Sequence, residues 1–207
     1  MKHEWKKSEK SFYLPKNTPE KIVIPGFNFY SLKGKGNPND PIFSEYISVL
    51  YSLSYAIRMS PKAGLFLSNY YDYTVYPLEG VWDLDENAKA NGMKVLDKNS
   101  LVYTIMIRQP EFITEEIAYE NLNRVKRKKP NELLDIVKFE NIEEGACVQM
   151  LHQGSYDEEP ESFNKMALFA AEHNLRRKYH FHREIYLTDA RKTTPEKLKT
   201  VLRFQVG

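Results

Sequence analysis

The chain has 207 residues, and its 30 Lys+Arg nearly balance 28 Asp+Glu, for a formal net charge of +2. That length suits one domain or two small modules sharing a core, and a charge so near zero argues against a dedicated nucleic-acid binder, whose domain is as a rule strongly basic. Hydrophobic residues at 42% exclude a disordered chain, and one cysteine, Cys147, excludes an internal disulfide framework and a cysteine-rich zinc finger.

Residues 1–20 are polar and rich in lysine, and read as an arm. They lack the apolar stretch of a signal peptide. No segment approaches the ~18 consecutive apolar residues of a membrane helix, so a cytoplasmic protein is expected. A strand-like run at 21–24 and another at Phe27–Leu32 precede Gly34–Pro41, a loop dense in turn formers. Asp40 and Pro41 suit the N-cap and first position of a helix. Phe43, Tyr46, Ile47, Leu50, Leu53 and Ile57 then recur at three- and four-residue steps, which predicts that helix over 42–59. Strands are expected at 72–84 and 101–108, with a polar connection carrying Asn91-Gly92. Thr114, followed by Glu115 and Glu116, opens a second helix that ends in the basic run Arg124–Lys129. That run reads as a solvated helix end, and a short helix at 131–136 follows.

From residue 139 the pattern restarts, with a strand at Ala146–Leu151, a turn cluster, a helix at 159–174, and strands at 179–188 and 200–205. The two halves share one order: strand, Gly-containing loop, Pro-started helix, strand, strand. Gly34 against Gly154 and Phe43 against Phe163 give the same offset of 120 residues. The expected architecture is a single α+β domain over 1–207. It is a tandem strand-helix-strand-strand repeat with pseudo-twofold symmetry and a central ligand cleft. Its parts are the arm 1–20, repeat one at 21–110, a helical connector at 111–138 and repeat two at 139–207.

The strand at 179–188 is the most informative stretch. Alternation puts His180, His182, Glu184 and Tyr186 on one face and Phe181, Arg183, Ile185 and Leu187 on the other. On a partly desolvated wall, Glu184 would serve as a base or receive a cation; on an outer face it would be solvated. In the first half, Glu79 holds the equivalent place beside Gly80, a candidate bulge, and Trp82. The chain carries 14 tyrosines, and their polar tips suit a ligand pocket better than a dry core. Such a cleft fits flat aromatic organic molecules, cationic ones included.

His180 and His182, with His152 or His173 as a third, have no accompanying Cys or carboxylate cluster at a recognised spacing, so no metal is expected. Cys147 reads as a small buried hydrophobe, Gly34-Lys35-Gly36 lacks the ending of a phosphate loop, and no serine hydrolase motif is present.

The segments Cys147–Pro160, His182–Asp189 and Arg191–Lys199, with Gly34–Asn39, Leu50–Tyr55, Pro77–Trp82 and Met106–Pro110, resemble the GyrI-like small-molecule-binding proteins. The resemblance covers nearly the whole chain beyond residue 20. It implies the repeat fold with a ligand cleft, an effector-binding role in relatives that sense drugs, and inhibition of gyrase or hydrolysis of cyclopropane-bearing alkylators in stand-alone members. The family's central glutamate matches Glu184, and its aromatic wall matches Trp82, Tyr186, Tyr55 and Tyr103. Glu79 and His182 complete the expected ligand-binding set.

The leading expectation is a cofactor-independent hydrolase that binds planar aromatic xenobiotics and opens a strained cyclopropane, with Glu184 activating water. The alternative is a non-catalytic drug-binding or effector-sensing module that acts through a partner protein. The implied partners are an aromatic small molecule and, in the alternative, another protein; neither a membrane nor nucleic acid is expected.

Overall fold

The computed structural model describes residues 2–91 and 97–207, so Gly92 of the expected Asn91-Gly92 turn lies outside the described residues. In chain order the elements are α1 (Trp5–Ser8), α2 (Lys10–Tyr13), β1 (Glu20–Ile24), β2 (Phe27–Lys35), α3 (Pro41–Arg58), β3 (Leu78–Leu84), α4 (Glu86–Asn91) and β4 (Leu101–Arg108). Then follow α5 (Glu115–Lys128), β5 (Lys138–Ile142), β6 (Gly145–Gln153), α6 (Glu159–Glu172), β7 (His182–Tyr186) and β8 (Lys199–Gln205). The class is α+β with antiparallel pairing; β6-α6-β7-β8 has the expected order strand-helix-strand-strand, whereas in β2-α3-β3-α4-β4 the short α4 stands between the last two strands. No helix among the described residues is long and apolar enough to cross a membrane.

The chain divides into two compact units: Met1–Glu4, Phe27–Leu78 and Leu84–Ile142 form the first, and Trp5–Gly26, Glu79–Asp83 and Glu143–Gly207 the second. In the first, β2 lies between β4 and β5. Pro41 starts α3, whereas Asp40 makes no side-chain cap; Thr114 does cap α5, its Oγ1 accepting from the Ile117 N–H. The helices α3 and α5 are joined by buried polar groups. Tyr30 Oη donates to the Ala118 carbonyl at 2.7 Å, and Asn121 Nδ2 donates to Tyr30 Oη and to the Leu53 carbonyl. Arg124, read from sequence as part of a solvated run, reaches back to the Ala56 carbonyl and Asn121 Oδ1. The connector expected at 131–136 is a single 3-10 turn, Glu132–Asp135.

In the second unit the strand order is β1-β6-β8-β7-β3. The strand expected to open repeat one therefore pairs with β6 and closes an edge that would otherwise be exposed. Strand alternation gives this sheet two unlike faces. On one, Val148, Met150, Leu202 and Phe204 pack under Met166 and Ala170 of α6. On the other, Gln149 and Arg203 stand in register with Arg183. The N-terminal arm covers that polar face: Arg203 Nη2 donates to the Phe12 carbonyl and Gln149 Nε2 to the Ser11 carbonyl. Trp5 and Tyr13 are buried, so residues 5–20 are a docked part of the unit.

Two strands are shorter than their sequence patterns. Leu78, directly after Pro77, begins β3, because proline has no N–H for the ladder. At 177–181 the Arg177 side chain takes the carbonyls of Tyr179, His180 and Phe181, and β7 starts only at His182.

Beneath the arm lies a buried ionic cluster. Arg183 Nη1 donates to Glu79 Oε2 at 2.6 Å, and its Nε lies 3.0 Å from Glu144 Oε1. Arg203 Nη1 donates to Glu144 Oε2 at 2.9 Å. Burial alone would raise the Glu144 carboxyl, but the two guanidinium groups hold it below the ordinary value. Removing Arg183 strands the buried Glu79 carboxylate and leaves Glu144 with Arg203 alone. Arg183→Met is expected to cost about 3–5 kcal/mol, the scale for a buried pair broken on one side, as measured by urea unfolding at neutral pH. A loss below about 1 kcal/mol would show the cluster to be solvated.

Candidate functional site

The same alternation that sends Arg183 to the ionic face sends His182, Glu184 and Tyr186 to the face of α6. The register Gly80↔Glu184 and Trp82↔His182 puts Trp82 beside them. Glu184 is 9% exposed. One carboxylate oxygen accepts from Tyr186 Oη at 2.7 Å, and the other lies 2.9 Å from His182 Nε2. Trp82 Nε1 donates in turn to Tyr186 Oη at 2.7 Å. The donor chain from Trp82 through Tyr186 to the accepting Glu184 fixes the carboxylate from behind.

The ladder runs through Gly80 without a bulge, so the expected re-aiming role is corrected. What this glycine supplies is space. A Cβ there would lie 2.6 Å from Trp82 Nε1 and 3.2 Å from Tyr186 Oη. Glycine is required because the indole and phenol cross directly over it.

A second carboxylate completes the site and was not singled out in the sequence. Glu159 is the first residue of α6 and is 6% exposed. The turn before it is tightly built. Ser155 and Glu158 form a reciprocal capping box, and His152 holds the turn through the Ser155 carbonyl and Ser162 Oγ. His152 is thereby a structural residue and not a ligand. Burial first, and then the charge of Glu184, pushes the Glu159 carboxyl up to about 9, so at neutral pH it is the protonated partner of a hydrogen bond with Glu184. Burial and the same negative charge raise Tyr156 to about 12 and Tyr186 well above the ordinary phenol range. Both phenols therefore remain donors. The rings of Tyr156 and Tyr186 meet edge to face at 6.0 Å, and Phe163 of α6 packs edge-on against His182 at 4.6 Å.

Of the residues expected from sequence, Trp82, His182 and Tyr186 converge on Glu184. Glu79 does not: it lies on the opposite face, 2% exposed, bound to Arg183. Its apparent equivalence to Glu184 fails by one position of register, because Gly80, not Glu79, stands across from Glu184. Tyr55 and Tyr103 belong to the first unit. Tyr55 is exposed on α3 near Tyr51. Tyr103 is buried against Phe43 and Tyr46, in the space left by Gly34. His180 is exposed and outside β7, and His173 lies on the surface at the end of α6. The metal set considered in the sequence is therefore not assembled. A different one is: donor atoms of Glu159, His182 and Glu184 lie within 4.8 Å of one another. Cys147 is buried, its thiol pushed up to about 12 by burial, as suits an inert packing residue.

A carboxylate held by a phenol and an imidazole, beside a protonated carboxylic acid and next to aromatic rings, is equipped to accept one proton and deliver another. The chain is 37% identical to a protein described as a hydrolase from Listeria innocua, each chain covered over 100% with a TM-score of 0.89. It is 38% identical to an uncharacterised conserved protein from the same organism, with the same coverage and a TM-score of 0.91. The C-terminal domain of EcmrR, at 18% identity, covers 92% of this chain and 97% of its own, with a TM-score of 0.52, a likeness of fold. No curated protein matches. The model of the GyrI-like small molecule binding domain matches residues 17–206, and the chain belongs to the GyrI-like family.

Proposed function

We propose that the protein binds planar aromatic xenobiotics and hydrolyses a strained, electrophilic cyclopropane within them. The observation that carries this reading is the meeting of Glu184, a carboxylate held in place from behind by Tyr186 and His182, with the buried carboxyl of Glu159. The hydrolase description of the Listeria innocua relative supports the reaction class.

Glu184 accepts a proton from water as the water oxygen bonds to a cyclopropane carbon. The ring C–C bond breaks, and its electron pair flows into the attached electron-accepting aromatic system. Glu159 delivers a proton to the anion so formed, and a proton then passes from Glu184 to Glu159 across their hydrogen bond. The net change is addition of water. Tyr156, partly exposed beside Tyr186, offers an aromatic surface to the substrate. Trp82, almost wholly buried, acts through Tyr186. A positioned base is worth about 10²–10⁴-fold, enough to open a bond already strained.

Glu184→Gln keeps the shape of the side chain and removes the base. Turnover of a cyclopropane alkylator by the purified variant is expected to fall about 10²–10⁴-fold, with ligand affinity changed far less. A wild-type rate no faster than buffer, or binding with the ligand recovered intact, would leave the protein a sequestrant and overturn the mechanism.

Glu159 makes a separate prediction. Between the ordinary carboxyl value of 4.5 and about 9, the folded chain holds a proton that the unfolded chain has lost. Stability must therefore fall as pH rises through that window, by up to about 1.4 kcal/mol per pH unit. Glu159→Gln, which mimics the protonated acid, is expected to flatten this slope in chemical unfolding curves between pH 5 and 9. In the wild type, kcat/KM is expected to fall as pH passes about 9 and the acid is lost. Identical stability slopes for variant and wild type would place Glu159 in water.

A further inference from the structure

We propose that Glu159, His182 and Glu184 form a binding site for one divalent transition-metal ion. The three residues come from two elements fixed independently of each other. Glu159 is set by the capped turn at the start of α6, while His182 and Glu184 are set by the β7 ladder. Their donor atoms lie within 4.8 Å of one another. A tetrahedral ion with bonds of about 2.0–2.2 Å needs its ligands roughly 3–3.5 Å apart. Small side-chain rotations close that difference.

A second observation concerns the carboxyl of Glu159. Its Oε1 is buried and accepts no hydrogen bond among the described residues. A buried oxygen in that state costs about 1–3 kcal/mol, and a cation is a partner the site lacks. The charges also suit an ion: two carboxylates and a neutral imidazole balance a divalent cation, so the loaded site is neutral in a buried setting. One nitrogen and two carboxylate oxygens suit Zn²⁺, Co²⁺, Mn²⁺ or Fe²⁺. Magnesium and calcium prefer all-oxygen shells. The outer shell is in place as well, since Tyr186 Oη holds the second oxygen of Glu184 and Trp82 holds Tyr186. An ion on Glu184 would take the lone pairs that the hydrolysis reading assigns to water. The proposal does not rest on that reading.

The test uses chelator-treated full-length protein with cobalt(II) chloride as the only ligand, followed by visible absorption and by calorimetry. Expected are one equivalent bound per chain and ligand-field bands that saturate with it. Glu159→Gln and His182→Gln should each abolish the bands. Tyr186→Phe should weaken binding about 10–100-fold by releasing Glu184. Thermal unfolding of each variant confirms that it is folded, and a variant that is not is replaced by the others. Absence of saturable binding, or binding indifferent to both ligand substitutions, overturns the site. Because no substrate is present, failure of hydrolysis elsewhere leaves this result unaffected.

Discussion

The burial of Arg183 is the constraint on which the site depends. A guanidinium 4% exposed must find carboxylates, and Glu79 and Glu144 provide them on the face covered by the N-terminal arm. Once β7 is pinned by that requirement, strand alternation leaves no choice for its neighbours. His182, Glu184 and Tyr186 must point the other way, under α6. A slip of one residue would bring Glu184 beside Glu79 and Glu144 and take Arg183 from both of them. The arm and the Arg203–Glu144 pair thus hold the register of a site they do not touch.

On the opposite face the charges are arranged to differ in protonation. Glu184 accepts from a phenol that burial keeps protonated, and its other oxygen lies 2.9 Å from the His182 imidazole. At Glu159, burial and the negative charge of Glu184 favour the neutral form. Two carboxyl groups in contact cannot both ionise cheaply, and the one with the better donors takes the charge. That asymmetry is what the proposed acid and base roles draw on. It is also what makes the pair attractive to a divalent ion, which can replace the shared proton and satisfy both groups at once.

Much of this was legible in the sequence for physical reasons. The helices α3 and α6 announce themselves through apolar residues at three- and four-residue steps, and the face of β7 follows from a period of two. That face carried Glu184, His182 and Tyr186 together without any knowledge of the fold. Glu159 was not legible, because an acid followed by proline at a helix start reads as an ordinary first-turn residue facing solvent. Only the docking of α6 on the sheet buries it. The pairing of β1 with β6 was equally hidden, since strand partners distant in sequence are chosen by tertiary context. Tyrosine abundance overstated the case for a pocket. Tyr30 and Tyr73 satisfy their hydroxyls inside the first unit, on Ala118 and Ser54 carbonyls.

The short stretch Glu79–Trp82 shows why a repeat in sequence need not repeat a site. Matching the two halves suggests a glutamate in each, yet adjacent antiparallel strands place direct partners on the same face. Since Gly80 faces Glu184, Glu79 must face away from it, and it meets Arg183 instead. The residues of this stretch then divide by parity. Glu79 serves the ionic face, Gly80 leaves room where any side chain would strike the indole, and Trp82 returns to the site face to hold Tyr186. The strand β7 carries His182, Glu184 and Tyr186 on the face that Trp82 supports. The division of β3 between the two faces follows from one step of register.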